Sequence, residues 1–338
     1  MRERSDIRRR LLLTTGAFGA LLAIVCVLAP LVGSTHISLA RAFSQSVPFA
    51  DNVDAQIFFI ARLPRVVGAA LVGAGLAAAG VVFQALLRNP LAAPETLGVS
   101  IGASVGAVIA ITFLPSFSIG GISAVPVASF TGSLGALAIV YGLSAARSRG
   151  MSSTVLLLGG VVLTSFLGAI LTLIQYLSDF TQTFRTVRWL MGSLDVGSYP
   201  PIVAALVPLA CAAIGYATLP RALDLMSLGP EAAAARGVDV VRAERVALVS
   251  ASLSTGAAVS LAGPIGFIGI VVPHLVRLMV GADHRLVLPA SALFGAAFLI
   301  GCDLIARTAF APLELPVGIV TAMIGGPFFL WLLFRRAR

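Results

Sequence analysis

Three arginines, Arg62, Arg65 and Arg307, stand at the edges of long apolar runs, with Arg62 and Arg65 one helical turn apart in "RLPR". A guanidinium in such a place grips phosphate or carboxylate through a two-pronged donor set. Its partner is either a lipid headgroup, reached by snorkelling, or an acidic protein surface. Asp303, four residues before Arg307, lies near the end of a long apolar run. Buried ionisable groups of that kind are functional candidates, although a local Asp–Arg pair explains it equally well. "GASVG" (102–106) has the G-x-S-x-G pattern of a nucleophile elbow with Ser104 as nucleophile, and His274 in "IVVPHLVRL" is the base an intramembrane serine hydrolase would need. The elbow requires a sharp strand-to-helix turn. Here it sits in an apolar helical run in which Gly98, Gly102 and Gly106 recur every four residues, the spacing of close helix packing in lipid.

Nucleotide chemistry is absent. All 23 basic residues are arginine, so the chain has no lysine for a phosphate-binding loop or a Schiff base. If ATP drives this protein, a separate subunit binds the nucleotide. The three cysteines and three histidines show neither metal-ligand spacing nor a disulfide framework. No cofactor is expected in this chain.

The elements that position these residues are membrane spans. The 338 residues are 58% hydrophobic and 11% charged, with a mean hydropathy of +1.02. A soluble domain carries about a quarter charged residues. The net charge of +9 is dispersed among loops, which reads as topology signals rather than as a nucleic-acid surface. The N-terminus resembles a signal peptide, but its apolar stretch, 11–32, exceeds the usual core of about 7–15 residues. Pro30 also follows the only small-residue cleavage point, at Ala29, so an uncleaved first span is expected.

Uncharged apolar runs cover 11–32, 66–87, 96–114, 122–146, 151–178, 199–220, 246–276, 286–302 and 315–334. The seventh contains "AGPIGFIG", where Gly263, Pro264 and Gly266 break the helix and leave a short eighth span. The expectation is an all-α polytopic membrane protein of ten transmembrane helices, folded as one domain over 1–338 with both termini on one side. With the termini in the cytoplasm, Arg41, Arg62, Arg65, Arg185, Arg188 and Arg307 lie outside and the other 17 arginines inside. The positive-inside rule favours that orientation. "RLPRVVGAALVGAG" at the second span and "RAERVALVSASLSTG" at the seventh are a weak echo, five spans apart and so opposed in direction, as inverted-repeat halves require.

The longest inner loop, about 221–245, is "RALDLMSLGPEAAAARGVDVVRAER". Leu223 to Leu228 forms one short helix. Gly229 and Pro230 start a second, with Glu231 in its first turn and Arg236-Gly237 at its stop. Two short polar helices at a turn are either a connector or a docking surface for a motor subunit.

The pieces "RLPR" (62–65), "NPLAAPETLGVSIGASVGA" (89–107), "SLGPEAAAARGVD" (227–239), "GPIGFIGIVVPHLVR" (263–277), "DHR" (283–285) and "ELPVGIVTAMIGGPFFLWLL" (314–333) together resemble the FecCD-type permeases. These are the membrane subunits of type II ABC importers for cobalamin, ferric siderophores and haem. The resemblance implies a permease homodimer in the bacterial inner membrane, two ATP-binding subunits that use ATP and magnesium, and an external substrate-binding protein. It implies docking of that binding protein on Arg62, Arg65 and Arg307. It makes Leu223, Leu228, Gly229, Glu231, Arg236 and Gly237 the coupling segment. It puts a cytoplasmic gate at Asn89, Leu91, Ser153 and Thr154. The external segment "RTVRWLMGSLD" (185–195) is richer in arginine than a cobalamin permease leads one to expect, which favours an anionic iron chelate, siderophore or haem, over cobalamin. An ion-coupled secondary transporter is the remaining alternative, and its ionisable residues near mid-membrane are missing apart from Asp303.

Overall fold

The computed structural model describes residues 2–33, 35–44, 46–119, 121–145, 153–195 and 197–336. Helix α1 spans Arg2–Leu28, α2 Leu39–Ala42, α3 Val53–Gln56, α4 Leu63–Leu86, α5 Val99–Phe113, α6 Ala124–Ala145, α7 Ser153–Leu177 and α8 Phe180–Leu190. They are followed by α9 Pro200–Thr218, α10 Pro220–Met226, α11 Pro230–Ala235, α12 Val240–Ala262, α13 Ile268–Val280, α14 His284–Thr308 and α15 Val317–Arg336. Among the described residues, strand structure is confined to a two-residue antiparallel ribbon, Ser118–Ile119 with Ile122–Ser123.

Local chemistry starts the helices where expected. Asp179, Asp239 and Asp283 accept backbone N–H bonds at the starts of α8, α12 and α14, at 2.8, 3.0 and 2.9 Å, which satisfies donors the helix itself leaves open. Prolines open α9, α10 and α11, where a missing N–H costs nothing.

Among the described residues, seven helices are long and apolar enough to cross a membrane, and α5, α13 and the apolar part of α15 are three shorter ones. These are the ten expected spans. The short ones follow from chain breaks. Helix α12 ends at Gly263 (φ +70°) and α13 begins after Phe267 (φ +69°), so the "AGPIGFIG" stretch interrupts the seventh run as its glycines and proline require. Irregular backbone at this depth is tolerated because protein groups satisfy it. The N–H of Ser193 donates to the Ala262 carbonyl at 2.8 Å, and Gln84 donates through Nε2 to the Gly269 carbonyl at 2.9 Å.

The centre of the bundle is α4 with its lead-in. Its best apolar window is 78% buried, against 72% for α12 and 56% for α14, while α1 (6%), α7 (17%) and α9 (22%) lie at the periphery. Lipid offers no hydrophobic drive for helices to associate, so close packing must supply it. A Cβ on Gly80 would run into the Gly269 carbonyl, and one on Gly102 would come within 2.6 Å of the Gly132 carbonyl. These contacts bring α4 against α13 and α5 against α6. Gly98 does not join that stripe. It is left-handed (φ +76°), terminates the 3-10 turn Pro94–Leu97 and faces α7.

Candidate functional sites at the two ends of the bundle

One end gathers the arginines. A π turn, Ile57–Arg62, leads into α4 and places Arg62 under the end of α1. There its guanidinium donates to the carbonyls of Pro30, at 2.9 Å, and Thr35. Gly33 makes room for it, since a Cβ there would lie 2.7 Å from Nη2. Arg65 donates through Nε to Asp303 Oδ1 at 2.8 Å and pairs with Glu314 Oε2 at 2.6 Å. Arg307, one turn after Asp303 on α14, approaches the other carboxylate oxygen at 3.0 Å, a charge contact whose N–H is not aimed for a hydrogen bond. Its remaining nitrogens donate to Val32 and Ala29 at 3.2 Å.

The three arginines therefore meet, but inside the protein. Arg62 is 5% exposed, Arg307 3% and Asp303 0%. Three cations face two carboxylates and several carbonyls, leaving one net positive charge. The local Asp303–Arg307 pair exists, and Arg65 from α4 turns it into a clamp between α4, α14 and the end of α1. Glu314, half-exposed, was not singled out from the sequence; being so close to Asp303, Arg307 and the "ELP" turn was its only signal.

The other end carries the short helices. Helix α10 starts at Pro220 rather than Leu223, because Pro220 itself can open it. Leu223 is fully buried, while Leu228, 64% exposed, projects at the turn. Gly229 (φ +111°) and Gly237 (φ +81°) flank α11 in backbone conformations that favour glycine. Glu231 and Arg236 are exposed. The segment is anchored from beneath, where Asp224 on α10 accepts from the backbone N–H of His284 at 3.0 Å and contacts its Nδ1 at 2.6 Å. Nearby, Arg277 on α13 donates to the Gln84 side chain of α4. Gln84 is a lone polar residue in "VVFQALL", a signal the sequence did offer; nothing in the sequence paired Asp224 with His284, 60 residues away.

At this same end Asn89 closes the turn after α4, its side-chain carbonyl accepting from the Leu91 N–H at 2.9 Å. Leu91 is 41% exposed and lines a small recess with Pro90, His274 and Phe328. Thr154 is exposed in the first turn of α7; Ser153 opens that helix, and its side chain lies outside the described residues. The Ser104 hydroxyl is spent on the Ser100 carbonyl at 2.9 Å in the α5–α6 packing, while His274 stacks edge-on to Phe328. The hydrolase pair occupies two separate environments.

At the arginine end, α8 borders a recess of about 260 Å³ between the ends of α5, α6 and α12, lined by Arg185, Arg188, Trp189 and Asp195. Arg188 and Asp195 form an exposed 3.4 Å pair, and Arg185 adds a further cation.

Comparison with known proteins matches the FecCD transport family to residues 21–335. The chain is 43% identical to the cobalamin import system permease protein of Halobacterium salinarum over 88% of this chain and 78% of that one. It is 38% identical to the hemin transport system permease protein of Yersinia pestis over 94% and 95%. A solved structure of an inward-facing metal-chelate type ABC transporter superposes with a TM-score of 0.80 at 35% identity, covering 95% of this chain and 98% of that one.

Proposed function

The chain belongs to the FecCD transport family, and on that premise we propose that it is the permease subunit of an ABC importer that carries a ferric siderophore or haem. Two copies would enclose the translocation path in the bacterial inner membrane, with both termini in the cytoplasm. Two separate subunits would hydrolyse ATP with magnesium, and an external binding protein would deliver the chelate.

The observation that carries this reading is the anchored pair of short helices. The chain has no lysine for a nucleotide site, yet it presents Leu228, Glu231 and Arg236 on a segment whose root, Leu223, is sunk in the bundle and whose Asp224 grips α14 through His284. A push on such a segment reaches the spans as rigid-body motion rather than being lost in a slack loop. Closure of the ATP-binding subunits would act on 223–237 and alternate the path between its two openings. Asn89, Leu91, Ser153 and Thr154 would line the cytoplasmic constriction. The binding protein would seat on the external face around Arg62, Arg65 and Arg307. Because these arginines are largely buried, they would act through the positive field at that face, which steers encounter, more than through exposed pairs.

The recess beside α8 supports an anionic cargo. Two arginines and a tryptophan offer charge and a stacking face to an iron chelate or to haem propionates, a set that corrinoid amides do not require.

Uptake into proteoliposomes tests the reading. It should need the ATP-binding subunits and the binding protein together, and the visible spectrum of the loaded binding protein should be that of a ferric chelate or haem. Uptake driven by an ion gradient alone would overturn the importer, and a corrinoid spectrum would overturn the cargo.

A further inference from the structure

At the end of the bundle that bears α10 and α11, a cleft of about 530 Å³ opens between α9, α10 and the start of α12. That volume is in the range of small-molecule sites, about 300–1,000 Å³. Its upper wall is apolar, built by Ile214 of α9 and by Ala243 and Val246 of α12. Its rim carries Arg221, Arg236 and Arg242 against one carboxylate, Asp239. All three arginines are exposed. The Asp239 carboxylate is engaged in capping α12 through the Arg242 N–H, and Arg236 spends one nitrogen on the Ala232 carbonyl at 3.2 Å.

We propose that this cleft binds an anionic phospholipid of the cytoplasmic leaflet, with the phosphodiester on the three arginines and an acyl chain along Ile214 and Val246. Charge selects the headgroup: three guanidinium groups around one committed carboxylate suit a phosphate whose own charge is not cancelled by a choline. The wall selects lipid over a soluble acidic partner. Ile214 is 70% exposed one turn inside the end of α9, on a helix whose apolar window is only 22% buried. An exposed apolar side chain on a span of that kind suits an acyl chain better than a soluble acidic partner. The three arginines come from α10, the end of α11 and the first turn of α12. A shared phosphate therefore ties the coupling segment to its neighbouring span; that consequence and the choice of leaflet rest on the function proposed above, whereas the binding of an anionic phospholipid in the cleft does not.

Purified full-length permease in detergent is titrated with phosphatidylglycerol, phosphatidylcholine and inorganic phosphate, and bound lipid is counted by native mass spectrometry. The expected result is one phosphatidylglycerol retained per chain, with phosphatidylcholine and inorganic phosphate lost. R221Q, R236Q and R242Q should each weaken retention about fivefold, the effect of one basic residue at an anionic surface. Ile214→Asn, which alters the wall and no cation, should weaken it as well. Equal retention by the wild type and all four variants overturns the site. Inorganic phosphate binding as tightly as the lipid overturns the lipid assignment. Loss of ATP-binding-subunit assembly in the arginine variants with lipid retention unchanged gives the rim to the motor instead.

Discussion

Replacing Arg65 with glutamine removes a charge from the clamp that joins α4 to α14. Its partner Asp303 is fully buried and 2.8 Å away. Removing one member of a buried ion pair costs about 3–5 kcal/mol, because the other charge is left without compensation. Asp303 keeps Arg307 at 3.0 Å, so the loss belongs at the lower end of that range, about 3 kcal/mol. The second contact of Arg65, to Glu314 at 45% exposure, adds about 1 kcal/mol or less. The assay is denaturant unfolding of the purified permease for wild type, R65Q, D303N and the double variant, with R185Q as an exposed control. R65Q should be destabilised by roughly 3 kcal/mol and R185Q by less than about 0.5. The cycle should show a coupling on the order of 1–3 kcal/mol, since the double variant leaves neither an unpaired acid nor an unpaired Arg65. Arg65→Glu should be worse than R65Q, because it sets a second carboxylate against Asp303 and Glu314. Strict additivity of R65Q and D303N, or an R65Q variant as stable as R185Q, would refute the clamp.

Gly229→Trp, or exchange of Glu231 and Arg236, should leave the permease folded and assembled but sever ATP hydrolysis from uptake; unimpaired uptake would count against the coupling role. Cysteines at 89 and 153 on the two copies should crosslink in one nucleotide state and not in the other, whereas crosslinking in both states would make these residues mere packing. Gln at both 185 and 188 should slow uptake of an anionic chelate about tenfold or more, two charge-assisted contacts being worth at least about 1.4 kcal/mol together, and leave ATP hydrolysis unchanged; equal rates would empty the recess of its role. Burial alone would raise the Asp283 carboxyl, but hydrogen bonds from Arg285 and its charge outweigh that and hold the group below the ordinary carboxylate value. The charge's stabilising effect is therefore present above the ordinary carboxylate value and fades as pH falls through the depressed one. D283N keeps the capping oxygen and loses only the half-exposed pair with Arg285, so it should cost about 0.5 kcal/mol at neutral pH and nothing in strong acid; a cost independent of pH would show that the charge plays no part.

Much of this protein is written in its composition. Apolar runs long enough to cross a bilayer leave the backbone one solution, a helix that satisfies its own hydrogen bonds. The ten spans, the break at 263–267 and the two short helices around Gly229 were therefore legible without coordinates. What tertiary structure decided was which polar groups meet. Arg65 and Asp303 are 238 residues apart, Asp224 and His284 60, Gln84 and Arg277 193. No local periodicity encodes such pairs, because they depend on which helix faces which across the bundle. Exposure likewise belonged to the fold. Arg62 and Arg307 read as external cations in the sequence, and only the packing of α1's end over α4 and α14 shows that they are buried, with their hydrogen bonds made within the chain. Gly98 shares its spacing with Gly102 and Gly106, yet it is a left-handed stop, because backbone conformation at a helix boundary depends on the turn before it and not on the period of the residues after it.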